Sequence, residues 1–333
     1  MKTNKQNFNL TRLLTNSLIG RILNFFYKNT HSKLPAIVGD YCFVSNFEKI
    51  GSKKDFVLGI YKNSKGQKAF AKMWTANYKD FSYYSLKNEI QVTKILNSVI
   101  RKTRKILPEG LKRMNMPKLI SSQEKRNYLI MLTEYIQGQE AMVLTNEKKI
   151  DVYFKTMEFV QFLGTKLTSK QKSFISKRTP FNFALLYPML VAKAVISHPR
   201  ASLYILMGIP TFLRCLPALF KEKKLVLNHR DLHFKNILIT KNSDFVIDLQ
   251  LCVLTHPIHD FTTTLRYRWK EDDFYLKLLK EIIRRHQGSE YFESLFKGLS
   301  INSATHGLTD KSFPKRKIDF HIDYLKYAIN FKL

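Results

Sequence analysis

Acidic residues are few for a chain of this length. Against 56 Lys and Arg stand 26 Asp and Glu, a formal charge of +30. Such a chain repels itself and attracts polyanions: nucleic acid, anionic lipid or phosphorylated substrates. Residues 1–39 hold no acid at all, and between Phe159 and Arg230 the one acid is Glu222. Cysteine is scarce as well. Cys42, Cys215 and Cys252 stand far apart, a pattern that argues against a disulfide framework or structural zinc and suits a reducing compartment. No continuous apolar segment of a secretory signal opens the sequence. The longest uncharged runs in the middle, residues 179–192 and 201–213, fall short of the ~18–20 residues that cross a bilayer. No transmembrane segment is expected.

What is present describes a folded protein. Of its 333 residues 44% are hydrophobic and 13% aromatic, enough for a substantial core in one large or two medium domains. Within residues 1–39, Leu14, Leu18, Ile22 and Phe26 recur every four positions among Lys and Arg. That is a basic amphipathic helix, open to two readings: lying in a lipid interface, or packed on the domain that follows.

From residue 41 the pattern changes. CFVSNFEKIG, DFVLGIYKN and QKAFAKMW read as strands, with NSKG (63–66) turning between the last two. Residues 82–100 read as a helix through Leu86, Ile90, Val92, Ile95 and Leu96, and residues 127–138 as a strand ending in a Gly-marked loop. Residues 139–226 look mainly helical, with apolar segments broken by Pro188, Pro210 and Pro217.

The chemistry concentrates in NHRDLHFKNILITKNSDFVIDLQ, residues 228–250. His229, Asp231 and Asn236 reproduce the spacing H-x-D-x-x-x-x-N. Two short strands, 236–240 and 245–248, return the chain through KNSD and bring Asp248 back toward them. Phosphoryl transfer needs such a set: one carboxylate to orient and deprotonate the accepting hydroxyl, an amide oxygen and a second carboxylate to hold the divalent ions on the nucleotide phosphates.

With these residues the sequence resembles the protein-kinase-like superfamily, over about residues 40–265. The resemblance implies an α+β, bilobal fold with an antiparallel N-lobe sheet plus one helix and a larger, mainly helical C-lobe. It divides the chain into the basic segment 1–39, an N-lobe at 40–136 and a C-lobe at 137–333. It assigns Lys72, central in AFAKMW, to the α- and β-phosphates and Glu89, in the following helix, to hold that lysine. Gly51 and Lys53, beside Lys54, would lie in the loop over the phosphates, and Glu134 and Ile136 in the hinge that binds adenine. Asp231 would be the catalytic base, with Asn236 and Asp248 the Mg²⁺ ligands and ATP the phosphoryl donor. Arg230 and Lys235 are candidates for further charge stabilisation, while His229 is expected to brace the loop.

D-L-H-x-x-N, with His233 where protein kinases carry lysine, is similar to the aminoglycoside- and choline-phosphotransferase branch and to the lipopolysaccharide core sugar kinases. Asp248-Leu249-Gln250 and Asp260 in HPIHDF fit the same branches. The resemblance therefore implies phosphate transfer to the hydroxyl of a sugar, free or lipid-linked, by a cytoplasmic protein that is peripheral on the inner face of the membrane. The acid-free zones would supply attraction to lipid phosphate at ~1 kcal/mol per well-placed cation. A soluble small-molecule kinase of the aminoglycoside or choline type is the alternative. It is disfavoured because those enzymes meet cationic substrates with acids that residues 159–221 lack. Protein kinase activity lacks a peptide platform, since only eleven residues separate Asp248 from Asp260. A non-catalytic basic binding protein would need none of the five motif residues. Nucleic acid has charge in its favour and no reading motif.

Overall fold

The computed structural model describes residues 33–47, 56–270, 273–286, 288–289, 291–311 and 313–333. The amphipathic segment up to residue 32 and the loop carrying Gly51, Lys53 and Lys54 lie outside these residues.

In chain order, β1 (Ile37–Val38), β2 (Tyr41–Asn46), β3 (Val57–Asn63) and β4 (Lys68–Thr75) precede helix α1 (Phe81–Thr103). Strands β5 (Met114–Asn115), β6 (Leu119–Lys125), β7 (Tyr128–Glu134) and β8 (Gln139–Glu140) follow. Next come helices α2 (Asn146–Thr165), α3 (Ser169–Lys172), α4 (Pro180–Ser197) and α5 (Ser202–Lys221). After β9 (Val226–Asn228), β10 (Ile237–Ile239), β11 (Asp244–Val246) and β12 (Val253–Thr255), helices α6 (His259–Arg268), α7 (Phe274–His286), α8 (Phe292–Gly307) and α9 (Lys315–Asn330) end the chain. These elements form two compact units. One comprises the chain up to Glu140 with Lys166–Ser176 and Ile237–Cys252; the other comprises Ala141–Thr165, Lys177–Asn236 and Val253–Leu333.

The first unit is built on an antiparallel sheet of order β1-β2-β3-β4-β7-β6. Alternation along β4 sends Ala69, Ala71 and Met73 into the core with Tyr61, Ile130 and Leu132 and leaves Lys72 on the other face. Helix α1 starts at Asp80, whose carboxylate accepts from the backbone N–H groups of Ser82 and Tyr83 at 3.0 and 3.1 Å. Its buried face runs through Leu86, Glu89, Thr93 and Leu96. A carboxylate thus occupies a core position and must be paired there. A second small sheet, β5-β11-β10-β8, contains the β10–β11 hairpin.

The second unit is helical around α8, whose residues from Gly298 to Thr305 are all buried, and which packs against α4, α5, α6 and α9. Among the described residues, β9 and β12 are the strands that pair within it. Helix α2 passes close to β9 at Gly164, where a Cβ would stand 2.7 Å from Leu227 Cβ and 3.1 Å from its nitrogen. No flexible side-chain end is there to move aside. Gly164→Ala is therefore expected to destabilise the protein by roughly 1–3 kcal/mol, the usual cost of overpacking, read as a lowered urea midpoint with the slope unchanged.

The α+β expectation holds, with differences at element level. Residues 127–138 give a strand only to Glu134, and helix α1 runs from 81 to 103 instead of 82 to 100. Strands β1, β5, β6, β8, β9 and β12 were not anticipated. Helices α4 and, from Pro199, α5 are long and apolar enough to cross a membrane by length and composition, although only 22% and 33% of their residues are buried. The uncharged runs stop short because Lys193, Arg200 and Arg214 interrupt them.

Candidate active site

Three of the candidate residues meet in the first unit. Lys72 Nζ donates to Glu89 Oε2 at 2.8 Å and to Asp248 Oδ1 at 2.7 Å. Its side chain is 12% exposed, that of Glu89 7% and that of Asp248 28%, so Asp248 is the member that solvent and a ligand reach. Burial alone would drive the lysine toward neutrality; the two carboxylates outweigh it and hold the ammonium well above its ordinary pKa. The Phe56 ring lies 4.7 Å from the same nitrogen.

Asp248 reaches this position through strained backbone. It follows β11 with φ 62° and ψ 58°, a left-handed conformation that Asp tolerates better than most residues. The segment after it is pinned from α1: Asn88 Nδ2 donates to the carbonyls of Gln250 and Cys252 at 3.0 and 3.3 Å. Gln250 Oε1 lies 3.5 Å from Lys72 Nζ.

The other motif residues meet in the second unit. Asp260 is 1% exposed in the first turn of α6. Its carboxylate accepts from the backbone N–H groups of His229 and Arg230, at 3.0 and 2.6 Å. This grip fixes Arg230 at φ 64°. Among the described residues the non-glycine positions with positive φ are Arg230, Asp248 and Lys270, so two of the three lie in the motif, where strain is held by surrounding structure. His229 is fully buried, and its Nδ1 accepts from the Asp231 N–H at 3.3 Å. It braces the loop.

Asp231 is held from two sides. His233 Nε2 lies 2.9 Å from its Oδ1, and Asn236 Nδ2 donates to its backbone carbonyl at 2.8 Å and to Oδ2 at 3.4 Å. Burial works to raise the carboxyl pKa, yet the His233 hydrogen bond and the nearby positive groups carry it below the ordinary value. Asp231 therefore stays ionised at neutral pH. Asn236 spends its N–H₂ on Asp231, and its amide oxygen takes no hydrogen bond among the described residues. An amide oxygen in the second unit and a carboxylate in the first are each a hard oxygen donor, the chemistry a divalent cation such as Mg²⁺ takes. Within the hairpin, the Ile237–Val246 pairing sets the start of β10 beside the end of β11.

Glu134 closes β7 opposite Ala69, and its backbone N–H donates to the Lys118 carbonyl at 2.9 Å. Ile136 follows in the loop; its backbone makes no hydrogen bond among the described residues. Lys235 is exposed.

A buried cationic cluster was missed from the sequence. Arg178, Arg230 and Arg266 lie within electrostatic reach of one another, and burial and mutual repulsion depress the first two. The Nε atoms of all three are buried without a partner among the described residues. His259, buried beside them, is held well below the ordinary histidine pKa by burial and by these arginines. The carboxylates acting on Arg230 are Asp260 and Asp231. Positions 178, 230 and 266 carry no local signal that would link them.

No curated protein matches the sequence. Residues 207–288 match the sequence model of the phosphotransferase enzyme family (APH). Solved structures match over nearly the whole chain. One is a thermostable mutant of aminoglycoside phosphotransferase APH(4)-Ia in ternary complex with AMP-PNP and hygromycin B, at TM-score 0.57 and 10% identity, covering 93% of this chain and 97% of that one. The amicoumacin kinase hAmiN, in complex with AMP-PNP, Ca²⁺ and Ami, matches at 0.55 and 11%, covering 93% and 92%. Spectinomycin phosphotransferase APH(9)-Ia, with ADP and spectinomycin, matches at 0.51 and 12%, covering 93% of each chain. The fold is thus protein-kinase-like, in the form that the aminoglycoside phosphotransferases share.

Proposed function

We propose that this protein is an ATP-dependent phosphotransferase that moves the γ-phosphate to the hydroxyl of an anionic saccharide, free or lipid-linked. The observation that carries the reading is Lys72, clamped at 2.8 and 2.7 Å between Glu89 and Asp248. A buried ammonium with two carboxylates costs desolvation that packing apolar residues would avoid. Its use is to present a fixed positive charge to phosphates.

In this reading Asp231 accepts the hydrogen bond of the acceptor hydroxyl and aims its oxygen at phosphorus. Held ionised by His233, it works more by orientation than by basicity, which suits a loose transition state where little proton transfer precedes bond making. Asn236 and Asp248 are the residues that would hold Mg²⁺, which when bound neutralises phosphate charge. Lys72 adds a fixed charge for the nucleotide phosphates. The unbonded backbone of Ile136 supplies a donor and an acceptor for an adenine edge.

The charge around Asp231 bears on the acceptor. The positive field of Arg178, Arg230 and Arg266, with His259 held neutral beside them, suits a carboxylate or phosphate on the substrate and repels a polyamine. Transfer from labelled ATP tests this, comparing a carboxylated or phosphorylated sugar, its neutral counterpart and an aminoglycoside. The anionic sugar is expected to lead in kcat/KM by at least tenfold. Preference for the aminoglycoside would sink the anionic reading, and no transfer to any acceptor would sink the phosphotransferase itself.

A further inference from the structure

We infer that the outward face of α4 and α5 is a docking surface for an anionic lipid bilayer, with both helices lying in the plane of the interface. The two helices, joined through the short link of residues 198–201, are apolar on both faces. Inward they bury Phe183, Tyr187 and Ala194 on one helix and Ile205, Phe212 and Leu219 on the other. The Tyr187 and Phe212 rings stack at 3.8 Å between them. A Cβ on Gly208 would meet Ile301 of α8 and Leu325 of α9 at 3.4 and 3.5 Å, so this face belongs to the core.

The opposite face is apolar too. Phe181, Leu185, Met189 and Ile196 on α4 are 62%, 56%, 63% and 69% exposed, at helical spacing along one stripe. On α5, Leu203, Leu206, Leu213 and Phe220 are 65%, 52%, 54% and 48% exposed. Single exposed hydrophobics are ordinary, whereas two adjoining stripes of them mark a surface that something covers.

Charge identifies the occupant. Residues 160–221 contain no acid, and the exposed charges on these helices are Lys193, Arg214 and Lys221. Beside α5 a cavity of about 310 Å³ is lined by Arg214, Lys297, Lys332, Thr211, Ser294 and Asn330, among others. Lys297 pairs with Glu293 at 3.4 Å, while Arg214 and Lys332 have no carboxylate partner among the described residues. Hydroxyls and unpaired cations around a small cavity suit a lipid phosphate. A second copy of this chain fits worse, because a twofold contact would press the cations of α4 and α5 against one another with no acid on either helix. Spanning the bilayer is excluded by the inward faces, which are committed to α8 and α9. Lying in the interface lets Lys193 and Arg214 keep their charges among headgroups while their stems follow the apolar stripe.

The inference extends the lipid-linked form of the acceptor reading. It is tested on vesicles that carry no acceptor, so its failure is distinct from a failure of phosphotransfer. The full-length protein is expected to sediment with phosphatidylcholine vesicles containing phosphatidylglycerol at least tenfold more strongly than with phosphatidylcholine alone. M189E/L206E/L213E changes only exposed positions, so it should fold normally and lose at least tenfold in binding. R214Q/K332Q should lose most of the preference for the anionic lipid. In M189W, brominated lipids should quench the new indole, because Trp74 and Trp269 are 2% and 4% exposed and out of reach. Failure to sediment, full binding by the triple glutamate variant, or a dimer by analytical ultracentrifugation that this variant dissolves would overturn the proposal.

Discussion

Replacing Asp231 with Asn is expected to lower kcat by roughly 10²- to 10⁴-fold, the range for losing a positioned general base, with nucleotide affinity within a few-fold of wild type. The substitution keeps the size of the side chain and one carbonyl oxygen for the 2.9 Å contact with His233. It also leaves the backbone carbonyl that takes the Asn236 hydrogen bond at 2.8 Å, so the loop should keep its shape. What goes is the negative charge facing the acceptor hydroxyl. Lys72, Glu89 and Asp248 make their ion pairs without Asp231, which is why nucleotide binding should survive. Single-turnover transfer and titration with a fluorescent ATP analogue separate the two quantities. Wild-type turnover by the variant would remove Asp231 from the chemistry.

How far such a site can be read from sequence depends on whether its parts announce themselves locally. Lys72 did, as a charge centred in an apolar strand, whereas Glu89 was reached through the family resemblance that pairs it with that lysine. A charge in such a strand is costly to bury alone and therefore points to a partner. Asp231, Asn236 and Asp248 were legible by spacing. His233 was noticed only as a substitution; that its ring holds Asp231 depends on the left-handed turn at Arg230, which no residue preference indicates. The Arg178–Arg230–Arg266 cluster was illegible because tertiary packing alone assembles it. Strand β6 escaped because LISSQEK, an edge strand mostly open to solvent, buries too little for its alternation to register. In α4 and α5 the difficulty was the reverse. Residues apolar on every side look like core helices, and only the fold shows which stripe is left uncovered.

Acid should unfold this protein earlier than its carboxylates would predict. His256 and His321 are 0% and 4% exposed, and their ring nitrogens have no hydrogen-bond partner among the described residues. Burial pushes His256 down to about 4 and His321 to about 3, from an ordinary 6.5. With folded values below unfolded ones, the unfolded chain gains protons first, so stability is intact above pH 6.5 and falls as pH drops from there toward 4. Each group costs ~1.4 kcal/mol per pH unit in that window, so the pair costs about 4 kcal/mol by pH 5. His259, also held below 6.5, acts in the same direction. Asp231 and Glu124, with lowered values, hold their contributions until the pH nears the ordinary carboxylate range. Asp260, raised by burial, opposes the histidines, but as one group against three. Urea unfolding from pH 7.5 to 5 should show the loss. In His321→Asn the baseline stability falls, yet the slope between pH 6.5 and 5 should flatten by ~1.4 kcal/mol per unit. The slope, unlike the baseline, is blind to the lost packing against Phe313, whose ring lies 5.5 Å away. An unchanged slope would mean that His321 protonates as readily in the folded protein as in the unfolded chain.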